Sequence, residues 1–278
     1  MVRLFLYPMP HTVFTFSISE VSKAQILLAR LWESDLSGCE EDHPTYKVYC
    51  EKANADSIAQ LLHKNEVLFD TKEIEEENWN AKWEASFEPV VIENFVAVRA
   101  HFHPSNTRVE HEIVVTPKMS FGTGHHATTR QMIAQMQTLD FAHKSIWDFG
   151  TGTGVLAILA EKLGAEKILA TDLDDWSIDN ATDNVKQNDC QHIIIRQQEN
   201  TEETEGYFDI ILANINKPVL LSEMKNLSER LSANGQLLLS GILFHDEEDI
   251  VQSAENNDFQ LTHKSREGDW LCMLFTKN

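Results

Sequence analysis

The 278-residue sequence predicts an α/β protein of two domains: a small α+β, ferredoxin-like unit, then a mostly parallel sheet covered by helices on both faces. Three observations carry this. Residues 11–72 run strand, helix, strand, strand, helix, strand. From residue 128 onward, short apolar β-branched runs alternate with helical periods, as in a buried parallel sheet. The last two strands are joined by a short turn around Gly268, so they pair antiparallel, because a parallel pair needs a long crossover.

Phe14, Phe16 and Ile18 alternate with Thr15 and Ser17, the pattern of a half-buried strand. Val21, Ala24, Leu28 and Leu31 then recur at helical spacing, with Ser19 as cap. A strand over 36–41 and another in which Tyr46, Val48 and Cys50 share a face flank a turn at "DHPT". A helix carrying Ile58, Leu61 and Leu62 leads to a strand around "VLFDT". This β-α-β-β-α-β order is that of a split ferredoxin-like unit and places the first domain at residues 1–72; the scaffold by itself carries no function.

Residues 73–88, "EIEEENWNAKWEASFE", change composition abruptly, with Trp79, Trp83 and Phe87 on one helical stripe beneath an acidic face. They predict a helical linker whose aromatics pack rather than bind a ligand. The second domain, residues 89–278, opens with strands in "VVIENFVAV" and "HEIVVTP". A helix through Met132 and Met136, the strand "SIWDFG", the helix "VLAILAEKLG", the strand "KILATDLD" and a helix from Trp176 to Asn188 follow. Next come strands "HIIIRQ" and "YFDIILANI", a helix from Pro218 to Leu231, the strand "GQLLLSGI", and the closing pair "FQLTHKS" and "WLCMLFTK".

Composition narrows the function. With 44 acidic against 23 basic side chains, the net charge of -21 opposes docking on a nucleic-acid backbone and suits a basic or cationic partner. Cys39, Cys50, Cys190 and Cys272 are scattered without metal or disulfide spacing, which predicts no metal site and a reducing, cytoplasmic setting. No apolar run reaches membrane-span length, and the opening "MVRLFLYPMPHTVFTF" is broken by Pro8, Pro10 and His11. A monomer with no membrane partner is expected.

The most informative stretch is "DFGTGTG", residues 148–154. No Lys-Ser or Lys-Thr follows Gly154, so it is not a phosphate loop. The dinucleotide fingerprint also fails, because its third glycine would fall at Val155. In an open parallel sheet, ligands bind beyond the carboxyl ends of the strands. Gly150, Gly152 and Gly154 turn the chain there without side chains to obstruct a ligand. Asp172, 22 residues after Gly150, ends the next strand and can accept hydrogen bonds from ribose hydroxyls. A nucleoside without phosphates on this fold points to S-adenosyl-L-methionine, whose sulfonium cation suits an acidic protein.

"MSFGTGHHATT" (119–129), "DFGTGTGVLAILAEKLGA" (148–165), "ATDLDDWSIDNATDNVKQN" (170–188) and "FDIILANI" (208–215) resemble the ribosomal protein L-eleven (L11) methyltransferases, the PrmA family. The likeness continues through "NWNAKWEASFEPVVI" and "LLLSGIL". It implies a Rossmann-like class I methyltransferase domain behind a small substrate-recognition domain, and methylation of amino groups, on lysine side chains or the N-terminus, of ribosomal protein L11. The family's cofactor contacts carry over to Thr129, Gly150, Asp172 and Asn214, with Gly152 and Gly154 completing the glycine turn. His125 and Ala127 replace a frequent Thr and Pro, leaving His126 on the family's histidine.

Methyl transfer to nitrogen is an in-line displacement that needs an uncharged, well-aimed amine. Asn214 is the expected orienting group, although "NINKP" replaces the N-P-P-Y of many amino-group methyltransferases. His126 would either relay the departing proton or hold the local loop. Thr128 and Thr129 are candidate helix caps, and Asp174 and Asp175 read as N-terminal charges of the next helix. Alternatives are a methyltransferase for another protein or a small amine, a nicotinamide oxidoreductase, or a non-catalytic module.

Overall fold

The structure is a computed structural model and describes residues 11–32, 34, 36–74, 87–117, 122–198, 201 and 204–278. The chain divides into two units, Met1–Phe87 and Glu88–Asn278.

In the first unit, β1 (His11–Ser17), α1 (Val21–Trp32), β2 (Leu36–Asp42), β3 (Thr45–Glu51), α2 (Ala55–Lys64) and β4 (Phe69–Ile74) build a sheet of order β2-β3-β1-β4. Every neighbouring pair is antiparallel, as the split β-α-β order requires. The helical and strand periods expected from the sequence converge in one core: Leu27, Leu28 and Leu31 of α1, Ile58 and Leu62 of α2, and Phe14, Phe16, Tyr46 and Val48 of the sheet. Two local expectations shift. Helix α1 opens at Val21, so Glu20 rather than Ser19 precedes it, and the Glu20 carbonyl accepts from the Ala24 N–H. Strand β4 runs to Ile74 because β1 offers a partner as far as His11, so Glu73 and Ile74 are strand and not linker. Phe87 and Glu88 have no regular structure. The remainder of the expected linker helix, with Trp79 and Trp83, lies outside the described residues.

The second unit opens with β5 (Val90–Ile92), β6 (Val96–Ala100) and β7 (His111–Val115), a small sheet in which β5 and β6 are antiparallel and β6 and β7 parallel. Side chains cover the outer edge of β7. The Asn188 amide accepts from the Val114 N–H at 2.9 Å and donates to the Val114 carbonyl at 2.6 Å, doing for that residue what a neighbouring strand would do.

The main sheet is built from α3 (Ala127–Met136), β8 (Ser145–Phe149), α4 (Val155–Lys162), β9 (Lys167–Asp172), α5 (Asp175–Gln187), β10 (Ile193–Gln197), β11 (Phe208–Asn214), α6 (Lys217–Arg230), β12 (Leu231–Leu243), α7 (Glu247–Glu255), β13 (Phe259–Glu267) and β14 (Trp270–Lys277). Its order is β10-β9-β8-β11-β12-β14-β13. The first five strands are parallel, and β14 and β13 add the antiparallel hairpin expected from their short connection. Helices α3, α4 and α5 cover one face, burying Met132, Ile133, Leu156, Ile158 and Val185 against Ile146 and Ile210. Helices α6 and α7 cover the other, burying Leu220, Met224 and Ile250 against Trp147, Ile211 and Leu239. Burial on both faces explains why these strands read as continuous apolar runs.

Helix α7 escapes the sequence reading because only Ile250 and Ala254 of "EEDIVQSAE" are buried, too few to set a period. Strand β12 begins at Leu231, inside the expected helix end, since Leu231 pairs with Phe208 before an irregularity restores register at Gln236. No described helix is long and apolar enough to cross a membrane.

One glycine is essential to the packing. Gly241 sits at a register shift between Ser240 and Ile242 with φ +88°, and a Cβ there would stand 2.3 Å from the Ile215 carbonyl oxygen. Gly241→Ala is therefore expected to destabilise the second unit by more than about 2 kcal/mol, from left-handed strain plus a backbone clash. Urea unfolding checks this; an unchanged midpoint would show that β12 can dispense with the bulge.

Candidate functional site at the carboxyl ends of the parallel strands

The chain leaves β8 for β9 and β10 on one side and returns to β11 on the other, so the switch point lies at the carboxyl end of β8. The glycine turn stands there. Gly150, Gly152 and Gly154 have φ of +78°, +56° and +81°, a region costly for residues with a Cβ. The N–H groups of Gly150 and Thr151 both donate to the Thr171 carbonyl at 2.9 Å, tying the turn to the end of β9. Gly154 is the N-cap residue of α4. Val155 is 1% exposed, so a buried side chain fills the place where a dinucleotide fingerprint needs its third glycine.

Two carboxylates flank this turn in different environments. Asp148 is fully buried, and its Oδ2 accepts from the Thr151 hydroxyl at 2.6 Å and the Ala157 N–H at 3.2 Å while Oδ1 has no hydrogen-bond partner. Burial pushes its pKa up to about 7, hydrogen bonds from Thr151 and Ala157 pull it down, and the nearby charge of Asp172 raises it. Asp172 is half-buried; its Oδ2 accepts from the Gly152 N–H at 2.8 Å and its Oδ1 from the Asp174 N–H at 3.1 Å. These bonds orient the carboxylate, and since each oxygen can accept a second hydrogen bond, they leave acceptor capacity for a diol. Asp174 caps α5 by accepting from Trp176 N–H at 3.3 Å, with Asp175 in the first turn, as read from the sequence.

Asn214 ends β11, and its Nδ2 donates to the Thr129 hydroxyl at 3.3 Å. Its Oδ1 is buried without a partner, a costly state that a donor from a bound ligand would relieve. The next residue, Ile215, locks this strand end in place: a Cβ on Gly150 would lie 2.3 Å from Ile215 Cγ2, and Gly241 meets the Ile215 backbone from the other side. Ile215 N–H donates to the Ser240 carbonyl at 3.2 Å.

His126, not Thr128 or Thr129, is the N-cap residue of α3: its Nδ1 accepts from the Thr128 N–H at 3.4 Å and lies 2.8 Å from the Thr128 hydroxyl. The threonines lie inside the first helical turn, beyond the extended φ/ψ position that a cap needs. The His126 ring meets Trp270 edge-on at 4.7 Å. His125, at a position where the resemblance favours Thr, holds the preceding loop, with Nδ1 3.0 Å from the Thr123 hydroxyl and Nε2 2.9 Å from the Glu88 carbonyl. Arg130 joins α3 to the β13–β14 hairpin through Glu267 and also donates to the His125 carbonyl.

The structure thus brings Gly150, Gly152, Gly154 and Asp172 into one hydrogen-bonded turn, and Asn214 together with Thr129. His126 opens the helix that carries Thr129. Sequence reasoning missed Ile215, Gly241, Trp270 and Arg130. Of these only Gly241, a glycine inside a strand, left a local signal.

A family model described as Ribosomal protein L11 methyltransferase (PrmA) matches residues 24–278. A Ribosomal protein L11 methyltransferase of Bacteroides thetaiotaomicron is 32% identical over 279 residues, covering 96% of this chain and 100% of that one. One from Chlorobaculum parvum is 44% identical over 204 residues, covering 71% of this chain and 70% of its own. The crystal structure of a ribosomal protein L11 methylase from Lactobacillus delbrueckii subsp. bulgaricus superposes with a TM-score of 0.64 at 29% identity, over 69% of this chain and 99% of that one.

Two measurements probe this geometry. Asp172→Ala removes a charged acceptor, and charged hydrogen bonds are each worth about 1.5–3 kcal/mol, so affinity for S-adenosylhomocysteine is expected to fall roughly ten- to more than a hundredfold in a folded protein. Calorimetry reads this, and unchanged affinity removes Asp172 from the ribose site. Asp148 makes the second test. Its raised pKa means the folded state holds a proton that the unfolded chain gives up, so this contribution is present below the ordinary aspartate range and lost as pH rises through about 7. The melting temperature of the cofactor-free wild type should fall, relative to Asp148→Asn, between about pH 4 and 7 and level off above that. Parallel profiles would show that Asp148 stays ionised.

Proposed function

The chain belongs to the ribosomal protein L11 methyltransferase family, S-adenosylmethionine-dependent enzymes, and we propose on that footing that it transfers methyl groups to amino groups of ribosomal protein L11. The observation that supports amine chemistry at this site is the buried, partnerless Oδ1 of Asn214 at the carboxyl end of β11, beside the glycine turn.

The residues present fit S-adenosylmethionine. Asp172, fixed by two backbone N–H groups, takes the ribose hydroxyls; Gly150, Gly152 and Gly154 let the backbone approach; Thr129 and Asn214 border the methyl-donor end. When bound, the cofactor supplies a methyl group activated on a cationic sulfur. The work left to the chain is positioning and desolvation. The hydrogen bond to Thr129 sets the direction of the Asn214 amide, and its Oδ1 accepts an N–H of the acceptor, turning the nitrogen lone pair away from that oxygen. An acceptor lysine has a reference pKa of about 10.4, so a site closed to water favours the neutral form that can react. His126 spends its Nδ1 lone pair on the α3 cap, which puts the hydrogen of the neutral ring on Nε2, so its part in the reaction is to hold the helix that carries Thr129.

Recognition of the protein acceptor falls to residues 1–72, and the chemistry to 89–278. Every proposed cofactor contact lies between Thr129 and Asn214, whereas the first unit has a core of its own. One chain carries all the named site residues, and we place the enzyme in the cytoplasm as a monomer; its cysteines are all free.

Incubation with L11 and S-adenosylmethionine, read by mass spectrometry of the intact acceptor, should show added methyl groups on amines. Asn214→Ala should keep the wild-type melting temperature and lose most turnover. A chain beginning at Glu88 should bind S-adenosylhomocysteine but fail on L11 at concentrations where the full chain succeeds. Methylation of a different protein or of a small amine, with L11 untouched, would overturn the acceptor assignment.

A further inference from the structure

Two fully buried residues, Asn184 and Thr153, join the separate parts of the site. Asn184 of α5 uses both ends of its amide: Oδ1 accepts from the Thr116 N–H at 2.7 Å, and Nδ2 donates to the Thr153 carbonyl at 2.8 Å. Thr153 lies between Gly152 and Gly154, and its hydroxyl donates to the Gly122 carbonyl at 2.7 Å. Gly122 has φ +106°, and a Cβ there would come within 2.7 Å of the same Thr153 Oγ1. Thr116, just after β7, and Gly122 are thereby both fastened to one residue pair.

This pairing bears on the cofactor because of what each end carries. The 150–154 turn holds Asp172 through Gly152, on the ribose side. The 122–124 turn runs directly into the His126 cap, hence to Thr129 and its partner Asn214 on the methyl side. We propose that Asn184 and Thr153 are positioning residues for the methyl donor: they set the separation of the two glycine turns so that both ends of the cofactor are met at once. A primary amide is suited to this because it donates and accepts in fixed geometry; a carboxylate cannot donate to Thr153. Loss of the Thr153 hydroxyl leaves the Gly122 carbonyl, at a half-buried residue, without its side-chain donor and releases the first turn from the second.

Asn188, one helical turn further on, is the natural control. Its amide bonds Val114 on both sides and the Asn184 carbonyl, and it reaches neither glycine turn. The inference rests on methyl-donor binding and not on the acceptor, so it is tested with S-adenosylhomocysteine in the absence of L11 and stands apart from the acceptor assignment.

Calorimetry on the full chain should show Asn184→Asp and Thr153→Val weakening S-adenosylhomocysteine about tenfold or more, with KM for S-adenosylmethionine rising in step and kcat at saturation changing less than about threefold. Thr153→Ser, which keeps the hydroxyl, should recover the affinity that Thr153→Val loses. Asn188→Ala should lower the melting temperature and leave the affinity within about twofold. Should Asn184→Asp fail to fold, the Thr153 pair decides alone. Wild-type affinity in Thr153→Val, or an Asn188→Ala that weakens binding as much as the Thr153 change, would overturn the assignment.

Discussion

The site depends on one close approach. Ile215 packs where two glycines lack side chains, Gly150 at the end of β8 and Gly241 in the bulge of β12, with would-be Cβ distances of 2.3 Å on both sides. No residue with a Cβ fits either place without displacing Ile215, and Gly241 would meet its backbone, which yields less than a side chain. This interlock holds the carboxyl ends of three adjacent strands, β8, β11 and β12, against one another. Asn214 immediately precedes Ile215, so this packing sets where its backbone stands, and the hydrogen bond to Thr129 then sets the direction of its amide. A rigid element carrying the polar group is what precise orientation of an acceptor requires.

Polar groups in the second unit divide by whether they are satisfied. Asn184, buried, and Asn188, half-buried, have partners for both amide ends: Asn184 fastens α5 to Thr116 and the glycine turn, and Asn188 fastens it to β7. Asp148 Oδ1 and Asn214 Oδ1 are buried without partners. Unsatisfied buried groups cost free energy that neighbouring packing must offset, and the two stand at the ends of β8 and β11, on either side of the switch point. The raised pKa of Asp148 has the same origin: a carboxylate held from water by the turn that also carries the site.

The first unit shows the opposite character. Its core of leucine, isoleucine and aromatic side chains accounts for its fold. The Glu40 carboxylate holds Tyr49 at 2.7 Å and Lys47 at 3.2 Å on its sheet, contacts that stabilise a surface and suggest no chemistry. A scaffold of this kind is compatible with recognition, which needs shape, and all the proposed chemistry falls in the other unit.

The sequence by itself determined the glycine turn, Asp172, the parallel alternation and the terminal antiparallel pair. All of these are local: a turn, one strand-helix-strand span of 22 residues, and periodicities set by backbone geometry. It also singled out Thr129 and Asn214, through the resemblance, and the structure joins these two by a hydrogen bond. Tertiary structure alone decided that His126 caps α3, that Asn184 reaches back to Thr116 across 68 positions and to Thr153 across 31, and that Ile215 sits between two glycines. Helix α7 and the true ends of β4 and β12 belong to the same class. Each depends on which residue lies opposite in space, and a polar side chain on a helix reads the same in sequence whether it faces water or a buried carbonyl.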